Sequence, residues 1–401
     1  MPTMTAQREP SQTPAPAVDS RSPFVRLSDL IAGIPPGKPP INLSVGEPQH
    51  AVPDFVAPVL AANIADFGRY PPNKGTEPFR KAVAAWLGKR FKLPRAVDPE
   101  SEVLVLNGTR EGLFLAAIAA TRWVSPRAGK PAVLIPNPFY AAYSAGALAA
   151  GCEPVYLPAT REHGFLPDLD ALDEALLKRT VAMYLASPSN PQGAVASHAY
   201  LENLAKLAQK HGFLVFADEC YGEIYSTDLP PGMLEASGPD FANVVVFHSL
   251  SKRSNAAGLR CGFVAGDARL IERFAHLRSY AGAQVPLPIQ EAGIALWGEE
   301  SHVEANRALY RRKFDIAESL IGGRFGFFRP EGGFFLWLDV GDGEEAALKL
   351  WRDAALRTLP GAYTSRTNPG RENPGQRYIR VALVHDDDTI AAGMRRMLRV
   401  L

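Results

Sequence analysis

Val244-Val245-Val246-Phe247-His248-Ser249-Leu250-Ser251-Lys252-Arg253-Ser254-Asn255-Ala256-Ala257-Gly258-Leu259-Arg260-Cys261-Gly262-Phe263-Val264-Ala265 is two apolar runs separated by a polar, cationic excursion. The runs are short, rich in β-branched and aromatic residues, and apolar on both faces of an extended chain. Strands read this way when a sheet is covered on both sides, as parallel sheets flanked by helices are. Lys252 lies just past the end of one run and Arg260 just before the start of the next, so both charges sit at strand ends.

The same texture extends outward over residues 80–270. Apolar runs at 103–106, 132–135, 181–186, 213–217, 244–247 and 262–265 alternate with amphipathic stretches such as 111–122 and 198–211. The pattern predicts an α/β fold whose large domain holds a mostly parallel sheet. After residue 285 a long helical, charge-rich stretch covers 288–322. Strand-like runs follow at 333–340 and 378–384, with a helix around Trp351 between them. A terminal helix follows Asp386-Asp387-Asp388, which read as its N-cap. The expected organisation is a disordered tail (1–23), a segment packing with the small domain (24–50), a large domain (51–285) and a smaller C-terminal α/β domain (286–401).

With 43 basic and 42 acidic residues among 401, the chain lacks the electrostatic footprint of a nucleic-acid binder. Cys152, Cys220 and Cys261 stand singly, which argues against disulfides and zinc ribbons and for a reducing compartment, hence a cytoplasmic protein. No apolar run approaches the roughly 18 residues of a spanning helix, so no membrane partner is expected. Residues 1–23, with prolines at 2, 10, 14, 16 and 23, have no apolar signal-peptide core.

Open parallel sheets bind ligands beyond the carboxyl ends of their strands. The sequences following the runs are Asn107-Gly108-Thr109-Arg110, Pro136-Asn137-Pro138-Phe139-Tyr140, Ser187-Pro188-Ser189-Asn190-Pro191-Gln192-Gly193, Asp218-Glu219-Cys220-Tyr221 and Ser249-Leu250-Ser251-Lys252. Any one of these alone reads as a turn, a cap or a solvated charge; five together describe a single site. Gly108-Thr109-Arg110 at a helix start offers free N–H groups to a phosphate, with Ser249 and Arg260 able to add a hydroxyl and a forked cation. A lysine desolvated at a strand end has a lowered pKa and can act as a nucleophile. Asp218 is placed to pair with a buried cation, and Tyr221 to donate to the same ligand.

Asn190-Pro191-x-Gly193, Asp218-x-x-Tyr221, Ser249-x-Ser251-Lys252 and Gly258-x-Arg260 together resemble the class I/II, fold type I, pyridoxal-phosphate (PLP) aminotransferases. Gly46-Glu47-Pro48, Tyr70 and Arg380 extend the likeness over roughly residues 25 to 400. The resemblance implies that Lys252 holds PLP covalently and moves the proton at the substrate Cα. It implies that Asp218 keeps the pyridine nitrogen protonated, that Tyr221 and Asn190 bond the phenolic oxygen, and that Tyr140 stacks on the ring. Gly108, Thr109, Ser249 and Arg260 are implied for the phosphate, with Tyr70 reaching in from a second subunit of a homodimer. Arg380, helped by Gly46, is implied to grip the substrate carboxylate.

A narrower resemblance, to the bacterial succinyldiaminopimelate aminotransferases, rests on Ser249 through Asn255, Asp218-Glu219-Cys220-Tyr221, Asn137 through Tyr140, Phe263 through Asp267 and Leu359 through Tyr363. It implies transfer of the glutamate amino group to N-succinyl-2-amino-6-oxopimelate in lysine biosynthesis. Such multiply anionic substrates require a second cation. Lys74, Arg253 and Arg366 are candidates, with Arg253 read rather as a structural ion pair and Arg366 in a loop able to close over substrate. Rival readings on the same scaffold are an aspartate or aromatic aminotransferase and a PLP-dependent C–S lyase. A ligand-sensing regulator would need a DNA-binding module, and a metal hydrolase a histidine motif that the eight histidines do not form.

Overall fold

The computed structural model describes residues 21–124 and 129–401, so the expected tail lies outside it up to residue 20. The end of that tail is ordered: Ser22 caps the helix Pro23–Leu30 by accepting from the Phe24 N–H. Strands in chain order are β1 (Ile41–Asn42), β2 (Val103–Leu106), β3 (Ala132–Asn137), β4 (Glu153–Pro158), β5 (Thr180–Ala186), β6 (Leu214–Asp218), β7 (Val244–Ser249) and β8 (Gly262–Gly266). They are followed by β9 (Phe335–Asp339), β10 (Leu356–Arg357), β11 (Leu359–Pro360) and β12 (Tyr378–Ala382).

Seven of these strands form the large sheet, in the order β2-β8-β7-β6-β5-β3-β4. Neighbours pair in parallel from β7 through to β4, whereas β8 runs antiparallel to both β7 and β2. The sheet is therefore mixed at one edge. All residues of β2, β3, β6, β7 and β8 are buried, which is why their sequences are apolar throughout. One face packs on Phe79, Trp86, Leu201 and Leu204, the other on Leu113, Ala117, Tyr143 and Phe274.

β4 was not among the expected strands. It carries Pro154 and Pro158, which remove ladder donors, and such residues are tolerated only at an edge, where β4 lies. The expected single helix over 288–322 is two, Leu287–Gly298 and Ser301–Ile321. The first packs its Ala292, Leu296 and Trp297 into the large-sheet core, so on packing the change of body falls after Gly298 rather than at 285.

The smaller body is the antiparallel sheet β11-β12-β9 covered by Ser301–Ile321, Gly343–Ala354 and the terminal helix Asp387–Val400. Asp386 caps that last helix by accepting from the Thr389 N–H. The N-terminal segment joins this body through β1, parallel to β10, and through the Ala382 N–H donating to the Leu43 carbonyl at 2.7 Å. Among the described residues no helix is long and apolar enough to cross a membrane.

Candidate active site

The parallel strands β3, β5, β6 and β7 end on one side of the sheet, and the reversed β8 begins there. Asn137, Asn190, Asp218, Ser249, Lys252 and Arg260 are thereby brought to one crevice, together with the start of the helix Thr109–Trp123.

Lys252 lies in the short helix Leu250–Arg253, capped by the Ser249 hydroxyl accepting from the Ser251 N–H. Its Nζ donates to the Gly46 carbonyl at 2.6 Å and lies 5.4 Å from the centre of the Phe334 ring. Desolvation lowers its pKa from 10.5 to about 8; nearby Arg380 and Arg110 push the same way, against Cys220 and Glu47. At pH 7.5 an amine of that pKa is roughly one quarter neutral, against about one part in a thousand for an ordinary lysine. Glycine suits position 46, because a Cβ there would clash with the edge of the buried Phe335 ring.

Asp218 ends β6 and is 9% exposed. Tyr143 donates its hydroxyl to Oδ2 at 2.6 Å, and the Cys220 N–H donates to Oδ1 at 3.2 Å. No cation among the described residues lies within ion-pair distance of this carboxylate. Burial and the Asp218 charge together hold the Tyr143 phenol protonated, as a donor must be. Sequence reading missed Tyr143. The only signal was its place three residues after Tyr140 at a helix start, where it reads equally well as a packed aromatic.

Gly108 adopts φ +74° at the N-cap of Thr109–Trp123, leaving the first amides of that helix without a side-chain cap. Any Cβ on Gly108 would fall on the Arg260 guanidinium, so the two residues meet face to face. Arg260 is in the left-handed region (φ +53°) and anchors its Nη1 on the Ala257 carbonyl at 2.9 Å. Ser249 and Thr109 both close on Gly262, at the start of β8, and the Thr109 hydroxyl lies 3.1 Å from Cys220 Sγ. The Arg110 side chain has a partner of its own: its Nε donates to the Tyr140 hydroxyl at 2.6 Å. The side chain is spent orienting Tyr140, and what Arg110 adds to the helix start is its backbone N–H.

Arg380, on the central strand β12 of the small sheet, is 6% exposed. Nη1 donates to Asn190 Oδ1 at 3.1 Å, Nη2 to the Ser44 carbonyl at 2.8 Å, and the guanidinium lies 4.3 Å from the Phe335 ring centre. Its Nε is buried without a partner, and burial lowers its pKa to about 10, which leaves it cationic at neutral pH. Tyr221 stands beside it against Phe334 and Phe335, with burial pushing the phenol well up.

Of the outlying candidates, Tyr70, Arg253 and Lys74 fall elsewhere, while Arg366 borders the crevice through Asn137. Tyr70 is 98% exposed and takes no part in the crevice of its own chain. Arg253 is buried, ion-paired with Glu300 and stacked near Trp86 and Trp297, a structural role. Lys74 donates to the Glu100 carbonyl at 3.2 Å. Arg366 sits 5.2 Å above the Phe139 ring, its backbone held by both ends of the Asn137 amide.

The chain matches the family model for aminotransferase class I and II over residues 38–397. An LL-diaminopimelate aminotransferase of Desulforudis audaxviator is 32% identical, over 93% of this chain and 94% of that one. The crystal structure of an aminotransferase from Neisseria meningitidis superposes with a TM-score of 0.89 at 36% identity, covering 94% and 97% of the two chains. A probable N-succinyldiaminopimelate aminotransferase from Thermus thermophilus gives 0.83 at 25% identity, covering 95% and 100%. The crevice fits the cofactor on which this family depends: Asp218 is a buried carboxylate with no cation, the complement of a protonated ring nitrogen, beside a helix start and a forked cation suited to a phosphate. With the crevice and the family model in agreement over nearly the whole chain, the protein belongs to the class I and II aminotransferases, enzymes that work with pyridoxal phosphate.

Proposed function

We propose that this aminotransferase passes the amino group of L-glutamate to N-succinyl-2-amino-6-oxopimelate, giving N-succinyl-LL-2,6-diaminopimelate and 2-oxoglutarate. The observation that carries amino transfer to this crevice is a shared anchor: Lys252 Nζ and Arg380 Nη2 grip the carbonyls of Gly46 and Ser44, two residues apart on one segment. Carbonyls so spaced lie within about 7 Å. One small α-amino acid can therefore place its carboxylate on Arg380 and its Cα proton before Lys252.

Lys252 would hold PLP covalently, Asp218 its ring nitrogen, Tyr221 and Asn190 its phenolic oxygen, and Tyr140 its ring face. Gly108, Thr109, Ser249 and Arg260 would hold the phosphate. Once bound, PLP supplies an electron sink that acidifies the substrate Cα–H and stores the amino group between half-reactions. The remaining work belongs to the chain. Arg380 binds the α-carboxylate in two-pronged fashion and so fixes which Cα bond faces Lys252. The Lys252 amine, kept partly neutral by desolvation, would accept the proton from the substrate Cα and hold it for return within the same crevice. Tyr143 and the Cys220 N–H hold Asp218 as an oriented anion.

The long, multiply anionic acceptor is supported by the narrower sequence resemblance and by the name of the Thermus thermophilus structure. Arg366, beside Tyr140 through Phe139, is the cation we assign to its distal end. A second reading follows from the Desulforudis relative's name: the substrate is LL-diaminopimelate itself. We further propose a cytoplasmic homodimer, since Ile64, Phe67 and Tyr70 expose 61%, 53% and 98% of their surface on one short segment that a second copy would cover.

The visible absorbance of the PLP-loaded protein separates these readings. Glutamate should bleach the cofactor band and the succinylated keto acid restore it. Bleaching by LL-diaminopimelate, with recovery on 2-oxoglutarate and none on the succinylated acid, would select the second reading.

A further inference from the structure

Outside the crevice, one buried polar chain runs between the two bodies. Lys313, on the long helix Ser301–Ile321, is 1% exposed. Its Nζ contacts His50 Nε2 and donates to the Val384 carbonyl at 3.3 Å. His50 Nδ1 lies 2.7 Å from Asn306 Oδ1, and Asn306 Nδ2 donates to the carbonyls of Lys252 (3.1 Å) and Arg253 (3.3 Å). The proton positions follow from these partners. The Asn306 amide faces two carbonyls, so its oxygen must face His50, whose Nδ1 therefore carries the hydrogen. His50 Nε2 is then the acceptor for the Lys313 ammonium, and burial keeps the imidazole neutral, as that direction requires.

The ends of this chain are informative. His50 is four residues past Gly46, the anchor of the Lys252 amine; Val384 is four residues past Arg380; Asn306 holds the backbone of Lys252 itself. We infer that Lys313, His50 and Asn306 form a positioning relay that clamps the segments carrying Gly46 and Arg380 against the backbone of Lys252, setting the carboxylate grip in register with the reacting amine.

Packing alone would not place an amine here. No carboxylate among the described residues lies within ion-pair distance of Lys313. Asp387 is engaged by Arg312 at 2.6 Å, and Asp386 by Thr389. Desolvation lowers the Lys313 pKa to about 8, so its charge is held at a cost that an apolar side chain of similar length would avoid.

The test uses PLP-loaded protein and the L-amino acid that reacts fastest with the wild type, so it stands apart from the identity of donor and acceptor. Lys313→Met should keep a thermal midpoint no lower than the wild type. It should slow the first half-reaction about tenfold and weaken binding of the same acid lacking its α-amino group about tenfold. PLP affinity of the apoprotein should stay within twofold, because the phosphate corner does not touch the relay. Asn306→Leu should behave alike, and the double variant should lose about tenfold rather than a hundredfold, as members of one linkage do. A hundredfold double loss, or slowed reaction with unchanged acid binding, overturns the relay. If the buried variants fail to fold, half-buried His50 decides: His50→Gln, which keeps a donor and an acceptor, should recover to within threefold while His50→Ala loses tenfold, and equal behaviour of the two overturns the relay.

Discussion

Arg380→Lys keeps the charge and removes the fork. In the wild type two nitrogens are committed to Asn190 and Ser44 while Nε is buried without a partner. A bound carboxylate gains the edge of a guanidinium already oriented by the protein, where Nε is free to donate. Lysine supplies one point charge, and it must abandon Asn190, Ser44 or the substrate. Losing one charge-assisted hydrogen bond costs about 1.5–3 kcal/mol, and leaving a buried acceptor unpaired adds a comparable amount. The lower end of that sum, about 3 kcal/mol, corresponds to roughly a 150-fold fall in kcat/KM. Because carboxylate orientation decides which Cα bond reacts, kcat should fall together with a rise in KM. The assay is single-turnover bleaching of the cofactor band over a range of glutamate concentrations, between pH 7 and 8.5, where Arg380 remains cationic. A loss of under fivefold would show that carboxylate binding lies elsewhere and that the shared anchor on residues 44–46 is incidental.

Tyr143→Phe should leave PLP bound but slow Cα proton removal about tenfold, since Asp218 loses its 2.6 Å donor; stopped-flow absorbance measures this, and an unchanged rate would refute the role. Gly108→Ala, at φ +74° and facing Arg260, should weaken PLP binding to the apoprotein at least tenfold, read by equilibrium dialysis; wild-type affinity would remove Gly108 from the phosphate corner. Arg366→Ala should raise KM for the distal-anion substrate about tenfold while leaving the cofactor band intact, and an unaltered KM excludes it from the pocket. Lys252→Ala should lower turnover by several orders of magnitude and also change the pH dependence of apoprotein stability. The folded pKa of about 8 lies below the unfolded 10.5, so between those values the unfolded chain binds more protons and stability rises with pH. The stability advantage of Lys252→Ala over wild type at pH 7 should therefore shrink by about 2 kcal/mol by pH 10, measured by denaturant titration; a constant difference would mean the amine is not desolvated.

The chemistry-bearing strand ends were visible in the sequence because each side chain follows an apolar run that only a covered strand explains. The missing parts share a cause: their information is relational. β8 is equally apolar whether it runs with or against β7, so its reversal left no mark in composition. β4, with its two prolines, resembles a loop until its place at an edge is known. The break between Leu287–Gly298 and Ser301–Ile321 falls inside a continuous helical pattern, and only packing against Phe79 and its neighbours assigns the first helix to the large body. Ser44 acts through a carbonyl, which any residue supplies. Tyr143 and the Arg110–Tyr140 bond depend on side-chain direction, which spacing does not specify. Arg253 shows the reverse: a charge beside the crevice lysine, read from the sequence as a structural ion pair and found paired with Glu300.

The reversal of β8 makes residues 249–262 a self-contained gauge. β7 delivers Lys252 and β8 departs from Arg260 at the same end of the sheet, with Ser249 paired directly to Gly262. The separation between the lysine amine and the arginine fork is thus fixed within one fourteen-residue excursion and its two flanking strands. From outside, only the lysine end is braced, by Asn306 of the long helix donating to the carbonyls of Lys252 and Arg253. Drift elsewhere in the large body would carry both groups together, leaving their spacing calibrated, whereas inserting a single residue into the excursion would uncouple them while the rest of the sheet stayed whole.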